Sequence, residues 1–214
     1  CSGDDGAPTN GVATQNVGIA GNSFTLNGAN WIPKAFNISG FVSTPAYLQQ
    51  LPSQAKYDGY LADSQCTQDL FDAVGSYGAD TVRFLVSQYF LSSASANDPY
   101  YDPDYPQSVV SIVQQARANG LVVEIAMQEE EEGGGPVFHG LPTAQTQESW
   151  LWLNQYFGDD EGVMYELYNE PTLGPESGQP TAADWNLWLN GGSAQIPPHG
   201  AAFTALGMQD LVTT

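Results

Sequence analysis

Positive charge is the scarcest property of this chain: four Lys and Arg stand against 24 Asp and Glu over 214 residues, a formal charge of -20. Such a balance repels a phosphate backbone and gains nothing from an anionic membrane surface, so nucleic acid is excluded as a partner class. Histidine is nearly missing too. His139 and His199 sit far apart in Gly/Pro-rich loops, and that spacing makes no metal motif. No apolar run approaches the roughly 18 residues of a membrane span. No internal repeat is visible, and 42% hydrophobic with 12% aromatic residues is the composition of a folded globule with one domain as the default.

Cysteine occurs only as Cys1 and Cys66, and the chain opens on the first of these without methionine or a signal peptide. Cys1-Ser2-Gly3-Asp4-Asp5-Gly6, followed by Ala7-Pro8-Thr9-Asn10-Gly11, resembles the start of a mature bacterial lipoprotein: an acylated cysteine on a small-residue, acidic tether. A lipid anchor at Cys1 and an extracellular or cell-envelope location follow as expectations. A Cys1–Cys66 disulfide and an arbitrary starting point are the alternatives. Residues 1–16 lack periodicity and read as a leader, with order expected from Val17.

Val17-Gly18-Ile19 and Ser23-Phe24-Thr25-Leu26 flank Ala20-Gly21-Asn22, which predicts a hairpin that plugs one end of a larger body. Trp31 to Gly40 contains a first core strand. Thr67 to Val74 then has helical spacing, and Asp80 to Val86 reads as a strand. The pattern repeats as helix 108–119, capped by Gly120, and strand 121–127, then as helix 145–157 and strand 163–167. A last helix is expected over 201–214. Strands apolar on both faces, in series with helices, indicate a parallel sheet with crossover helices, either doubly wound or a (β/α)8 barrel. The opening hairpin and the long strand-to-helix loops favour the barrel.

Proline cannot continue a central ladder, so Pro171 bounds the strand that runs up to Leu167 and leaves Asn169 and Glu170 at a rim. In a barrel, active residues gather at C-terminal strand ends, and Asn37, Arg83, Gln128, Asn169 and Glu170 all fall there.

Motif by motif, the chain resembles glycoside hydrolase family 5, the cellulase family. Phe36-Asn37-Ile38-Ser39-Gly40 is similar to the family's first strand, Ala79 to Phe84 to its second with the signature arginine, and Tyr165 to Pro171 to its fourth with Asn-Glu-Pro. The resemblance covers roughly residues 17–214. It implies a retaining glycosidase with two glutamates, one acid/base and one nucleophile, acting on a β-linked polysaccharide or oligosaccharide without metal or organic cofactor. Glu170 matches the acid/base, which needs a partly dry site or a neighbouring carboxylate to keep its proton. Asn169 matches the amide that binds the sugar 2-hydroxyl, and Arg83 the rim arginine that orients the nucleophile. Gln128 stands where many members carry histidine. A neutral polysaccharide is compatible with the acidic charge.

The match ends after about four βα units, in a barrel that is truncated in this reading, and no glutamate of the chain matches the nucleophile. Glu166 shares the alternating face of Glu170 about 13 Å behind it, at ~3.3 Å per residue, and reads as a structural acid. Glu129 to Glu132 read as a solvated loop. His139, Trp185 and Trp188 are candidates for substrate contact, with core packing as the open alternative for the tryptophans; Tyr89, Tyr100, Tyr101 and Tyr105 are weaker ones. Trp150 and Trp152, inside an amphipathic helix, read as core. No obligate protein partner is expected. A non-catalytic carbohydrate-binding or structural remnant, and a half-barrel that pairs with a second copy to close its sheet, are the competing readings.

Overall fold

The computed structural model describes residues 14–39, 68–92, 101–128, 139–173, 179–195 and 202–214. Cys1, Cys66, Tyr100, Glu129 to Glu132 and His199 lie outside them.

The chain opens as a three-stranded antiparallel sheet, β1 Val17–Ala20, β2 Ser23–Leu26 and β3 Ala29–Asn30. Its tight turns follow from residue chemistry: Asn27 and Gly28 both take positive φ, 52° and 80°, as a type I′ turn requires.

Four parallel strands carry the body: β4 Ala35–Ile38, β5 Thr81–Ser87, β6 Val122–Gln128 and β7 Val163–Glu166, in the order β4-β5-β6-β7. Each strand lies beside its predecessor, with no reversal of order. A doubly wound sheet reverses order at its switch point, so the barrel-like alternative is the one this topology follows, although the four described strands do not close. Helices α1 Gln68–Ser76, α2 Gln88–Leu91, α3 Tyr105–Ala118 and α4 Ala144–Phe157 connect the strands.

The core lies between the sheet and these helices. Val82, Phe84 and Val86 alternate along β5 and are fully buried against a cluster that includes Val109, Ile112, Val113, Ala116, Leu153 and Phe157. Period two on the strand meets period 3.6 on the helices, so one apolar layer serves both. The other face of β5, at Arg83 and Leu85, is only half-buried.

The opening sheet seals the N-terminal strand ends, as expected of a plug. Val17 N–H donates to Glu161 O at 2.9 Å, and Gln15 Nε2 to Gly120 O at 2.6 Å. Trp31 Nε1 and Lys34 N–H both donate to Asp80, at 3.0 and 2.9 Å, just ahead of β5. Arg117 holds the same end. Its guanidinium pairs with Asp160 at 2.9 Å and donates to Leu121 O at 2.7 Å and to Gln15 Oε1. Gly162 leaves room for it, because a Cβ at that position would lie 2.1 Å from the Arg117 guanidinium and would push it aside.

Beyond Pro171 the expectation of a single helix over 201–214 fails. The chain forms α5 Ala182–Asn190, a hairpin of β8 Gly192–Ala194 with β9 Phe203–Ala205, and the short α6 Met208–Val212. Gly207 stands at the break, in extended conformation ahead of α6 and so close to the backbone of Leu189 and Asn190 that a Cβ would come within 2.5 Å. Leu141, Ala194 and Ala205 form a second small core with Leu173, Leu187, Trp188 and Phe203.

Candidate active site

Strand register brings three polar residues side by side on the half-buried face. Asn37 of β4 is paired with Arg83 of β5, and Arg83 with Glu124 of β6. Glu124 is the one charge in a strand whose other residues are buried, and a charge in such a place needs a partner. Across β7, Glu166 supplies the carboxylate that Arg83 grips.

That grip has two prongs. Arg83 Nε donates to Glu166 Oε2 at 2.7 Å and Nη2 to Glu166 Oε1 at 2.8 Å, with side-chain exposures of 19% and 31%. A planar guanidinium matches a carboxylate in this way and an ammonium does not. Its outer edge then turns to the rim: Nη1 donates to Asn37 Oδ1 at 2.6 Å and Nη2 to Asn169 Oδ1 at 2.8 Å. Asn169 Nδ2 in turn donates to Gln128 Oε1. Four of the five rim positions expected from sequence, Asn37, Arg83, Gln128 and Asn169, therefore form one hydrogen-bonded set.

Electrostatics follow the geometry. The Glu166 hydrogen bond holds the Arg83 guanidinium still further into its charged form, against the effect of burial, with help from the charges of Glu166, Glu124 and Glu170. Burial and then the negative charge of Glu166 push the Glu124 carboxyl up, against the pull of Arg83, and a hydrogen bond to Glu166 adds to the rise. The inner face thus holds two carboxyls for one guanidinium.

Asn169 reaches Arg83 because the strand alternation breaks. Residues 166 and 169 would face opposite ways on a regular strand. Here the ladder ends at Glu166; Trp150 Nε1 caps Leu167 O at 2.9 Å, and Asn169 N–H rejoins the sheet on Met127 O at 2.8 Å. The expectation that Glu166 and Glu170 share one alternating face is corrected accordingly. Glu170 follows in the left-handed region, φ 48°, a conformation that costs a non-glycine residue about 1–2 kcal/mol and is unusual before a proline. Its side chain is exposed at the rim. Strain of this kind recurs at functional sites.

The remaining candidates lie at or near the second small core, and only Trp188 is part of it. Trp188 is half-buried and packs edge-on against Tyr168, the residue before Asn169, with ring centroids 6.2 Å apart. His139 packs on Phe203 with ring centroids 4.6 Å apart. Trp185 is 53% exposed on α5. The structure does not bring these three into the Arg83 set. Tyr89 and Tyr105 are core residues, and the Tyr105 hydroxyl accepts from Ser87 N–H at 2.8 Å. Trp150 is core, as expected. Sequence reasoning missed Glu124 and the pairing role of Glu166. The available signal was a lone charge inside an apolar strand, in a chain with few cations to neutralise it.

The chain matches the family model Cellulase, glycosyl hydrolase family 5, over residues 35–198. Among solved structures it is similar to an endocellulase from Pyrococcus horikoshii in complex with cellotetraose, at 16% identity and TM-score 0.50, over 79% of this chain and 46% of that one. It is also similar to a hyperthermostable endocellulase at 13% identity and TM-score 0.49, over 77% and 46% of the two chains. The first likeness is one of fold, and the chain spans less than half the length of either protein. None of the curated proteins compared with the chain matches it.

Proposed function

The chain belongs to the cellulase family, glycosyl hydrolase family 5, and from that premise we propose that it carries the first four βα units of a (β/α)8 barrel that hydrolyses a β-linked polysaccharide with retention. Glu170 is the acid/base. It protonates the glycosidic oxygen as a carboxylate from a later strand attacks the anomeric carbon, then takes the proton of the water that releases the glycosyl intermediate. Asn169 holds the sugar 2-hydroxyl, and Arg83 fixes the amide while contributing positive potential to the cleft.

The observation that carries this reading is the 2.8 Å bond from Arg83 to Asn169, which ties the residue next to Glu170 into an ordered polar set at the C-terminal strand ends. A cellulose-like β-1,4-glucan is the substrate we favour, supported by the cellotetraose bound to the structural neighbour; mannan and β-1,3-glucan are the competing outcomes. Trp185, exposed on the element after Pro171, is the favoured sugar platform among the tryptophans. Acylation of Cys1 would hold the protein at the cell envelope, and the mass of the N-terminal peptide from the source cells tests that.

The test of function uses the longest open reading frame that contains residues 1–214, assayed for reducing ends released from β-1,4-glucan, mannan and β-1,3-glucan. The 214-residue chain alone supplies one carboxylate of the two and is expected to show little or no hydrolysis. Robust hydrolysis by the short chain would overturn this division of the site. A longer frame inert on all three polysaccharides would favour a carbohydrate-binding role instead.

A further inference from the structure

Two hydrogen-bonded carboxyls must share a proton, and the geometry says which one carries it. Glu166 meets the Arg83 guanidinium with both oxygens, at 2.7 and 2.8 Å, which is the contact of an ionised carboxylate. Glu124 stands on the neighbouring strand, opposite Arg83 in register and hydrogen-bonded to Glu166. With Glu166 ionised, Glu124 is the donor of that bond. Burial and the Glu166 charge raise the Glu124 carboxyl in the same sense.

The polarity of the whole chain of contacts then follows. A guanidinium has no acceptor, so Asn169 must turn Oδ1 to Arg83, which commits Nδ2 to Gln128 and leaves a second Nδ2 hydrogen to offer a ligand hydroxyl. Were Glu166 free to swing, Arg83 could follow it and the amide would lose its fixed sense.

We infer that Glu124 and Glu166 are positioning residues: protonated Glu124 holds the Glu166 carboxylate, Glu166 holds Arg83, and Arg83 sets the orientation of the Asn169 amide that meets the sugar. The inference rests on the proposed function only in its last link. The groups that face Glu124 are Arg83 from β5 and Glu166 from β7; Asn37 on β4 is uncharged, and Glu170 lies beyond them within the field of Arg83. Loss of the Glu124 proton places two carboxylates on one guanidinium, so the arrangement loosens as pH rises.

The test follows the Arg83 Nε–H and the Asn169 Nδ2 hydrogens by 1H–15N NMR in the 214-residue chain, with cellotetraose affinity measured alongside. In the wild type, the Arg83 Nε–H should be protected from exchange at mildly acidic pH and lose protection as pH rises. Glu124→Gln keeps a donor toward Glu166 and cannot ionise, so protection should persist across the range. Glu166→Gln should abolish it and weaken cellotetraose binding about tenfold. Unchanged pH dependence in Glu124→Gln, or an Arg83 signal that survives Glu166→Gln, would overturn the inference. Should Glu166→Gln fail to fold, the Glu124→Gln profile decides alone. Absence of cellotetraose binding in the wild type would count against the proposed substrate, and the NMR arm would still decide the positioning role.

Discussion

Arg83→Lys keeps the charge of the central cation and removes its shape, which makes it a direct test of whether geometry or charge orders the rim. The guanidinium makes four bonds: two to Glu166 at 2.7 and 2.8 Å, one to Asn37 at 2.6 Å and one to Asn169 at 2.8 Å. An ammonium on a flexible stem can keep a contact with one Glu166 oxygen, but it cannot span the carboxylate and both amides. Bonds to a charged group contribute about 1.5–3 kcal/mol each when buried, and partial exposure of both partners lowers that to about 1, so losing three costs about 2–4 kcal/mol. At roughly 2–4 °C per kcal/mol for a chain of this size, Tm should fall by about 5–15 °C in a circular-dichroism melt. The Asn169 amide resonances should broaden or shift with it. A Tm within about 2 °C of wild type, with unchanged Asn169 signals, would show that charge alone orders the rim and that the fork of the guanidinium does not.

At the other end of the sheet, Gly162→Ala drives a methyl group into the Arg117 guanidinium and should cost about 2–3 kcal/mol through loss of the Asp160 pairing, read as a lower urea midpoint. Acid should unfold the protein in part through Asp160 and Asp80. Burial works to raise both carboxyls, but hydrogen bonds from Arg117 and Gly162 to Asp160, and from Trp31, Lys34 and Thr81 to Asp80, hold them below the ordinary range. Their stabilisation is therefore fully present above about pH 4 and lost as pH falls through the folded values; Asp160→Asn should flatten the acid limb of a stability–pH curve. Glu124 has the opposite sign: its raised carboxyl makes stability decline as pH rises through its folded value, and Glu124→Gln should remove that decline. Leu153→Ala, at a fully buried position of α4, should cost about 2–5 kcal/mol by the same urea measurement.

The body of the fold could be read in advance because its signals are local. Strands β5 and β6 are near-continuous apolar runs, α3 and α4 carry apolar residues at helical spacing, and Asn27-Gly28 encodes its own turn. Arg83 stood out by its place toward the end of a strand and by the family resemblance of the segment around it. The wiring of the site was hidden because Asn169 reaches Arg83 only through a break in periodicity. Leu167 and Tyr168 leave the ladder where a tryptophan from α4 donates to the Leu167 carbonyl and β6 accepts from the Asn169 amide; no alternation rule foresees bonds of that range. Residues 201–214 misled for a related reason. Their Ala, Leu and Met content suits a helix, yet Gly207 packs on the end of α5, and the chain folds back as β9 and a single turn of α6.

If Glu170 donates the proton, its removal should cost most where the leaving group most needs protonation. Glu170→Ala is made in the longest frame containing these residues and assayed on β-1,4-glucan and on an aryl β-cellobioside whose leaving group needs no protonation, with and without azide. Expected are a loss of about 10²–10⁴-fold on the glucan, a much smaller loss in cleaving the aryl bond, and acceleration by azide, which attacks the glycosyl intermediate without a base. Equal losses on both substrates with no response to azide, or no loss on either, would contradict that role of Glu170.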